Sequence, residues 1–252
     1  MEVHYARDLI GKMVLLKSRK GQAELENAFF RDLLHGLMSN PSTRERVDYI
    51  LTFNSDNPIF KEVVTRHERA LPGDREFQNN GWYELMLTRY ALSAHYSAGK
   101  CVLDTCSGLG WGSYLLDSVA KRVIALDVDG PAVKLANSLW PTQRTEYVQG
   151  SVLHLSLVDN CIDIALAMES IEHFELSHVK RYLDELYRVL KRGGMLIGSS
   201  GFPETREQAM ALCARNPYHL HIFTRAEFDE LLRDLFSKHY IYRNNLFFWA
   251  VK

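Results

Sequence analysis

Cysteine is scarce and unpaired in this chain. The four residues, Cys101, Cys106, Cys161 and Cys213, form no CxxC pair. That spacing excludes a cysteine-rich zinc finger and a disulfide framework, and it fits free thiols in a reducing compartment. Long apolar runs are missing as well: no stretch approaches the roughly 20 residues a membrane helix needs. The opening "MEVHYARDLI" lacks the basic-then-apolar pattern of a secretory signal. Together these absences predict a cytoplasmic protein with no membrane partner. No charge sign dominates either, with 30 Lys and Arg against 31 Asp and Glu. No global field therefore recruits nucleic acid or an anionic surface. The longest basic cluster, "KSRK" at residues 17–20, is short enough to be an ordinary solvated face. Internal repeats and low-complexity tracts are also absent.

What is present is apolar mass. At 252 residues, 46% hydrophobic and 24% charged, the chain can build one large core, with or without an appendage. Its pattern changes near Gly99. Before that point apolar residues recur at helical spacing: Leu25, Phe29, Leu33, Leu34, Leu37 and Met38 share one face. "SNPST" ends that helix and caps a second over residues 43–53. A third helix is predicted from Ile59 to about Arg69, then the loop "LPGDREFQNNG", then a helix from Trp82 to about Tyr96.

After Gly99 short β-rich runs alternate with helical patterns. "KCVLDT", "RVIALDVD", "TEYVQGS", "CIDIALAM" and "MLIGSS" read as strands. Helices are predicted at "WGSYLLDSVA", "PAVKLANSLW" and "SHVKRYLDELYRVLK", the last closed by "RGG" with Gly193 or Gly194 as a left-handed cap. Such alternation predicts an α/β protein with a mostly parallel, doubly wound sheet. The helix "TRAEFDELLRDLF" follows, and then "KHYIYR" and "NLFFWAVK" as an antiparallel pair at the sheet edge, split by Asn244 and Asn245. Residues 1–95 are thus predicted to be an N-terminal helical cap, and residues 96–252 the α/β domain.

"VLDTCSGLGWG", residues 102–112, joins the first strand to the first helix of that domain. Gly108, Gly110 and Gly112 allow a tight turn and close approach of backbone to a ligand, beside a helix N-terminus that favours negative groups. The spacing is GxGxG. The third glycine of the dinucleotide GxGxxG falls on Ser113, so that fingerprint fails and a nicotinamide dehydrogenase is disfavoured. Asp104 precedes the loop, and Asp127 ends the second strand, where a carboxylate can accept both hydroxyls of a ribose. A solvated strand-end aspartate is the plainer alternative.

These blocks, with "CIDIALAMESIEHF", "LDELYRVLKRGGMLIGSS" and "HLHIFTRAEFDELL", resemble in order the motifs of class I S-adenosylmethionine (SAM)-dependent methyltransferases, over about residues 99–232. The resemblance implies a seven-stranded sheet with one antiparallel strand, and SAM across the carboxyl ends of the first two strands. It assigns Asp104 and the backbone of Gly108 and Gly110 to the methionine portion, and Asp127 to the ribose. Cys106, Val128, Ser151, Val152 and Met168 are the other cofactor-binding positions it implies. Two departures stand out. Cys106 occupies the usual first glycine, although cysteine adopts positive φ less freely. Ser151 replaces the usual aspartate that accepts from the adenine amino group.

"ESIEHF", residues 169–174, packs two carboxylates and an imidazole behind a buried strand. Helix capping, a general base and a metal site all remain open. On a helical turn Glu169, Glu172 and His173 share one face, a donor set suited to a hard or borderline divalent cation. Many class I methyltransferases carry a similar stretch with no known metal, where it braces the sheet end. "NPYHLHIFTRAEF" resembles a stretch of small-RNA 3′-terminal 2′-O-methyltransferases, in which two Glu, a His and a distant His bind a divalent ion. Matched by position, these are Glu169, Glu172, His173 and His219. His173, with Glu169, is the candidate catalytic pair. His221 points away from His219 if the segment is extended.

An acceptor hydroxyl needs a base or a metal to lose its proton, which favours O-methylation. The acceptor class expected is a small molecule or sugar. RNA 2′-O-methylation and a silent SAM-binding module are the alternatives; the first is opposed by the missing basic stripe and the second by the intact polar "ESIEHF". "RHERALPG", residues 66–73, contains an ER..P that resembles a segment upstream of the SAM motif in saccharide and glycan methyltransferases. The N-terminal helices are expected to shape the acceptor pocket or to serve a homodimer. Trp82, Tyr83, Tyr90 and Trp111 are candidate stacking residues, against the plainer reading as core.

Overall fold

A computed structural model describes residues 19–64, 69–242 and 246–252. The opening decapeptide, the first half of "KSRK", the start of "RHERALPG" and Asn244–Asn245 lie outside the described residues. Among the described residues five helices come first: α1 (Arg19–Ser39), α2 (Pro41–Leu51), α3 (Pro58–Val64), α4 (Arg75–Asn80) and α5 (Trp82–Ser97). Asn40 caps α2, its side chain accepting from the N–H of Thr43 at 3.2 Å, with Pro41 at the first turn. The sequence places α4 in a loop. Its six residues carry no apolar period, and Gly81 in the left-handed region both ends it and starts α5.

The α/β part runs β1 (Cys101–Thr105), α6 (Trp111–Leu116), β2 (Arg122–Asp127), α7 (Gly130–Leu139), β3 (Thr145–Gln149), β4 (Ile162–Met168), a 3₁₀ turn (Ile171–His173), α8 (Leu176–Val189), β5 (Leu190–Ser199), α9 (Arg206–Arg215), α10 (Arg225–Leu235), β6 (Lys238–Ile241) and β7 (Phe247–Val251). The seven strands lie in the order β3-β2-β1-β4-β5-β7-β6. Only β7 is antiparallel to its neighbours β5 and β6; the other pairings are parallel. The seven-stranded, mostly parallel sheet with N-terminal helices is therefore as expected. Among the described residues, no helix is long and apolar enough to cross a membrane.

Two differences from the expected elements have local causes. Helix α8 ends at Val189, and "RGG" lies inside β5. Gly193, at φ 75°, forms an irregularity there and donates to the carbonyl of Lys252 at 3.0 Å. Helix α9 is absent from the sequence pattern because its hydrophobic period is faint. Its signal was a capping box, in which Thr205 and Gln208 each bond the other's backbone N–H.

Strand alternation divides the core into two layers. Val102, Ile164 and Leu166 face the layer that holds Phe29 of α1, Ile50 of α2, Leu92 of α5 and Leu115 of α6. Leu103, Ala165 and Ala167 face α8 and α10 through Tyr182, Leu186 and Phe228. The N-terminal helices share the first layer's apolar cluster with the sheet. Polar ties reinforce that contact: Arg46 of α2 donates to Asp117 at 3.0 Å, and the Tyr240 hydroxyl donates to Glu26 at 2.7 Å.

Candidate active site

The chain runs outward from β1 to β3 and then returns beside β1 as β4. This reversal opens a crevice at the carboxyl ends of β1, β2 and β4, the place where ligands bind in open α/β sheets. Asp104 lies on the α5–α6 side of β1 and is fully buried. Its Oδ2 accepts from Ser113 at 2.5 Å and from Tyr90 at 3.4 Å, whereas Oδ1 is buried with no hydrogen-bond partner. Burial pushes this carboxyl up to about 7, against the two hydrogen bonds that lower it. On the opposite face Thr105 bonds Tyr182 of α8 and the Leu166 carbonyl, closing the floor below the loop.

The glycines of "CSGLGWG" have different tasks. Gly110 has φ 74°, and a Cβ there would meet Tyr147 at 2.4 Å and Ala136 at 2.9 Å. Gly112 lies under an aromatic ring, where an added Cβ would come 1.8 Å from Cζ of Tyr90. That glycine therefore makes room for core packing, and Tyr90 and Trp111 meet edge to face at 4.8 Å as core residues. Gly112→Ala is expected to destabilise the fold by about 1–3 kcal/mol in urea unfolding, the cost of overpacking. A change below about 0.5 kcal/mol would show that the ring moves aside freely. Cys106 has φ 52°, so it occupies the left-handed backbone where glycine is at ease. Burial raises its thiol far above the ordinary value, leaving a neutral, inert side chain.

Asp127 sits at the end of β2, almost buried. Its Oδ2 accepts from the N–H of Gly108 at 2.7 Å, and Oδ1 accepts from the N–H of Asp129 at 2.9 Å. Arg69, from the segment before α4, reaches the same oxygen at 3.4 Å and Asp129 at 3.1 Å. Next to Asp127, Val128 is 69% exposed.

A methyltransferase-domain family model matches residues 103–198. A relative from Mycolicibacterium smegmatis named a probable S-adenosylmethionine-dependent methyltransferase is 32% identical over 181 residues, which cover 70% of this chain and 66% of that one. One of the same designation from Mycobacterium tuberculosis is 29% identical over 187 residues, covering 71% and 65%. The matched part thus spans just under two thirds of these relatives' length. Among solved structures, the YcgJ protein of Bacillus subtilis superposes with a TM-score of 0.55 at 20% identity, over 60% of this chain and 69% of that one, a likeness of fold. The chain belongs to the class I SAM-dependent methyltransferase family.

In a member of this family the remaining expected residues fall as follows. Val152 is buried near the start of the loop after β3 and Met168 at the end of β4, with Ser199 donating to the Met168 sulfur at 3.6 Å. Ser151 is exposed, and its Oγ accepts from the N–H of Leu153 at 3.2 Å. Trp82 is half exposed on α5.

The stretch "ESIEHF" departs from the α-helical turn expected of it. Glu169 leaves β4 with φ 45°, its N–H bonded to the Ser199 carbonyl at 2.9 Å, and only residues 171–173 form a 3₁₀ turn. The left-handed residue turns the Glu169 carboxylate toward Arg89 of α5, at 3.1 Å. Glu172, His173 and His219 come together instead, with ligand atoms all within 4.8 Å of one another. The His173 and His219 rings meet edge on at 5.2 Å. Nδ1 of His173 contacts the Tyr218 carbonyl at 3.0 Å, and the backbone N–H groups of Leu220 and His221 bond the Glu172 carbonyl at 2.8 and 3.2 Å. That backbone clip brings the 219 segment to the end of β4. Glu172 is 3% exposed, and its Oε2 has no hydrogen-bond partner. Burial, then the charge of Glu169, pushes its carboxyl up to about 8. His221 packs on Phe223 at 4.5 Å, away from the cluster, and burial lowers its pKa.

Proposed function

We propose that the protein transfers the methyl group of SAM to a hydroxyl oxygen of a small molecule or saccharide. In this reading the acceptor oxygen forms a bond to the methyl carbon while the S–C bond breaks, leaving S-adenosylhomocysteine as a neutral thioether. The acceptor proton must go to a base; with no ion at the end of β4 the imidazole of His173 is the group offered, and with an ion there His173 is a ligand and the proton leaves an ion-bound hydroxyl for solvent. Orientation of the nucleophile along the S–CH₃ axis supplies much of the rest of the rate.

The observation that carries this reading is the buried carboxylate Glu172 beside two imidazoles at that strand end. A carboxylate oxygen buried without a partner is costly unless something binds it. Glu172, His173 and His219 fit a divalent cation as one oxygen and two nitrogen donors, with Glu169 left on Arg89. Such an ion, when bound, would lower the pKa of an acceptor hydroxyl. Carbon or sulfur acceptors need no such cluster, and the near-neutral net charge does not favour RNA.

The test is a screen of hydroxylated small molecules, saccharides and an RNA oligonucleotide with radiolabelled SAM, each with and without EDTA. O-methylated small-molecule product, lost on chelation and restored by Mg²⁺ or Mn²⁺, is the expected result. Transfer to RNA alone would replace the acceptor class, and turnover that survives exhaustive chelation would remove the ion and leave His173 as the base. In calorimetry Asp127→Ala is expected to weaken S-adenosylhomocysteine binding by about 1.5–3 kcal/mol, the range for a hydrogen bond to a charged group. Unchanged affinity by calorimetry would reject Asp127 as the ribose acceptor.

A further inference from the structure

Asp127 does not wait with open lone pairs. Its Oδ2 is taken by the Gly108 N–H, and its Oδ1 by the Asp129 N–H and by Arg69. The Arg69 side chain is 8% exposed and spans the mouth of the crevice. One terminal nitrogen, Nη2, lies on Asp127 and Asp129, while Nη1 stands 3.5 Å from where a Cβ on Gly108 would be. Its Nε is buried and has no hydrogen-bond partner. The backbone beside it is held: the Ala70 carbonyl accepts from the Trp111 indole at 3.1 Å, and Leu71 is fully buried.

A ribose diol that uses Asp127 must therefore compete with a guanidinium. Of the three contacts to this carboxylate the one from Arg69, at 3.4 Å, is the longest, so it is the one a hydroxyl displaces most cheaply. On leaving Asp127 the guanidinium keeps Asp129 but gives up one of its two anionic partners, and a second anion within reach would replace it. SAM brings one anion, the carboxylate of its methionine part, and the methyltransferase reading assigns that part to the glycine loop beside Gly108. Arg69 already has Nη1 over Gly108 and an unused Nε, and its planar fork matches a carboxylate.

We propose that Arg69 is a cofactor-binding residue that latches the ribose acceptor before binding and passes to the cofactor's carboxylate when the ribose enters. The exchange is a side-chain movement on a fixed backbone, with Asp129 as the contact kept. It makes the crevice selective for the whole amino-acid nucleoside: a ligand with ribose but no carboxylate breaks the latch and offers nothing in return. The inference rests on the methyltransferase reading above.

The experiment compares calorimetric affinities of the full chain for S-adenosylhomocysteine and for 5′-methylthioadenosine, which keeps adenine, ribose and thioether but lacks the amino acid. Arg69→Ala is expected to weaken S-adenosylhomocysteine about tenfold and to leave methylthioadenosine unchanged or tighter, so the ratio of the two affinities collapses. Arg69→Lys keeps the charge, loses the fork and should fall between; it also serves if the alanine chain folds poorly. Equal changes in both affinities, in either direction, or no change in either, would overturn the proposal. A wild-type chain that binds neither ligand would overturn the methyltransferase reading itself. A wild type that binds both, with an unaltered ratio in the variants, overturns this inference alone.

Discussion

Glu172→Gln is expected to slow methyl transfer by at least about a hundredfold while S-adenosylhomocysteine binding stays within about threefold of wild type. Glutamine keeps the shape and the burial but cannot ionise, so it offers neither a charged ligand oxygen nor a charge to orient the two imidazoles. The same variant has a stability signature. The Glu172 carboxyl is raised from 4.5 to about 8 by burial and by Glu169. A raised carboxyl favours the protonated folded state, so its contribution is fully present below about pH 4.5 and is lost as pH rises through about 8. Near pH 5 the two chains should unfold at similar urea concentrations; at pH 9 the glutamine chain should be more stable, by on the order of 2–4 kcal/mol. Adding Mn²⁺ at pH 8 should raise the melting temperature of wild type and not of the variant. Turnover within threefold of wild type, or parallel stability profiles across this pH range, would rule out an ionisable role for Glu172.

The second large effect belongs to Asp104. Its Oδ1 is buried with no partner, at the end of the strand that leads into the glycine loop, and the ammonium group of a bound SAM would satisfy it. Asp104→Asn is expected to weaken S-adenosylhomocysteine binding by about 1.5–3 kcal/mol, or roughly 10- to 150-fold. Because the carboxyl is raised to about 7, it is increasingly protonated below neutrality and must ionise to receive the ammonium. Wild-type affinity should therefore fall as pH drops from 8 to 6, by up to about tenfold per unit below the pKa, and the asparagine chain should lose that slope. Calorimetry at three pH values decides it: a flat wild-type profile together with unchanged affinity in Asp104→Asn would refute the assignment.

How much of this was legible varies from residue to residue. Asp104 and Asp127 were found because strand ends are marked by β-rich runs and the glycine loop lies between them. Their partners were not: Tyr90 and Arg69 come from the helical region, and no local pattern says that they cross to the sheet. By spacing Gly112 belongs to the ligand loop, and only the ring of Tyr90 beneath it shows its steric task. Glu169 was placed with Glu172 and His173 on the assumption of an α-helical turn. A single left-handed residue sent it to Arg89 instead, and backbone strain of that kind leaves no mark in a pattern of residue types.

The order of residues alone specifies the fold, since alternation of strands and helices, the glycine spacing and the run of family motifs are local and repeat along the chain. It also determined which residue types gather at the carboxyl ends of β1, β2 and β4. Only the tertiary structure decided which of them meet: that Glu172, His173 and His219 form one cluster without Glu169, and that Arg69 lies across Asp127. The reason is that a strand order with a reversal between β1 and β4 is set by packing two apolar layers against one sheet. Contacts across that reversal join residues tens of positions apart, a distance over which no helical or strand period carries information.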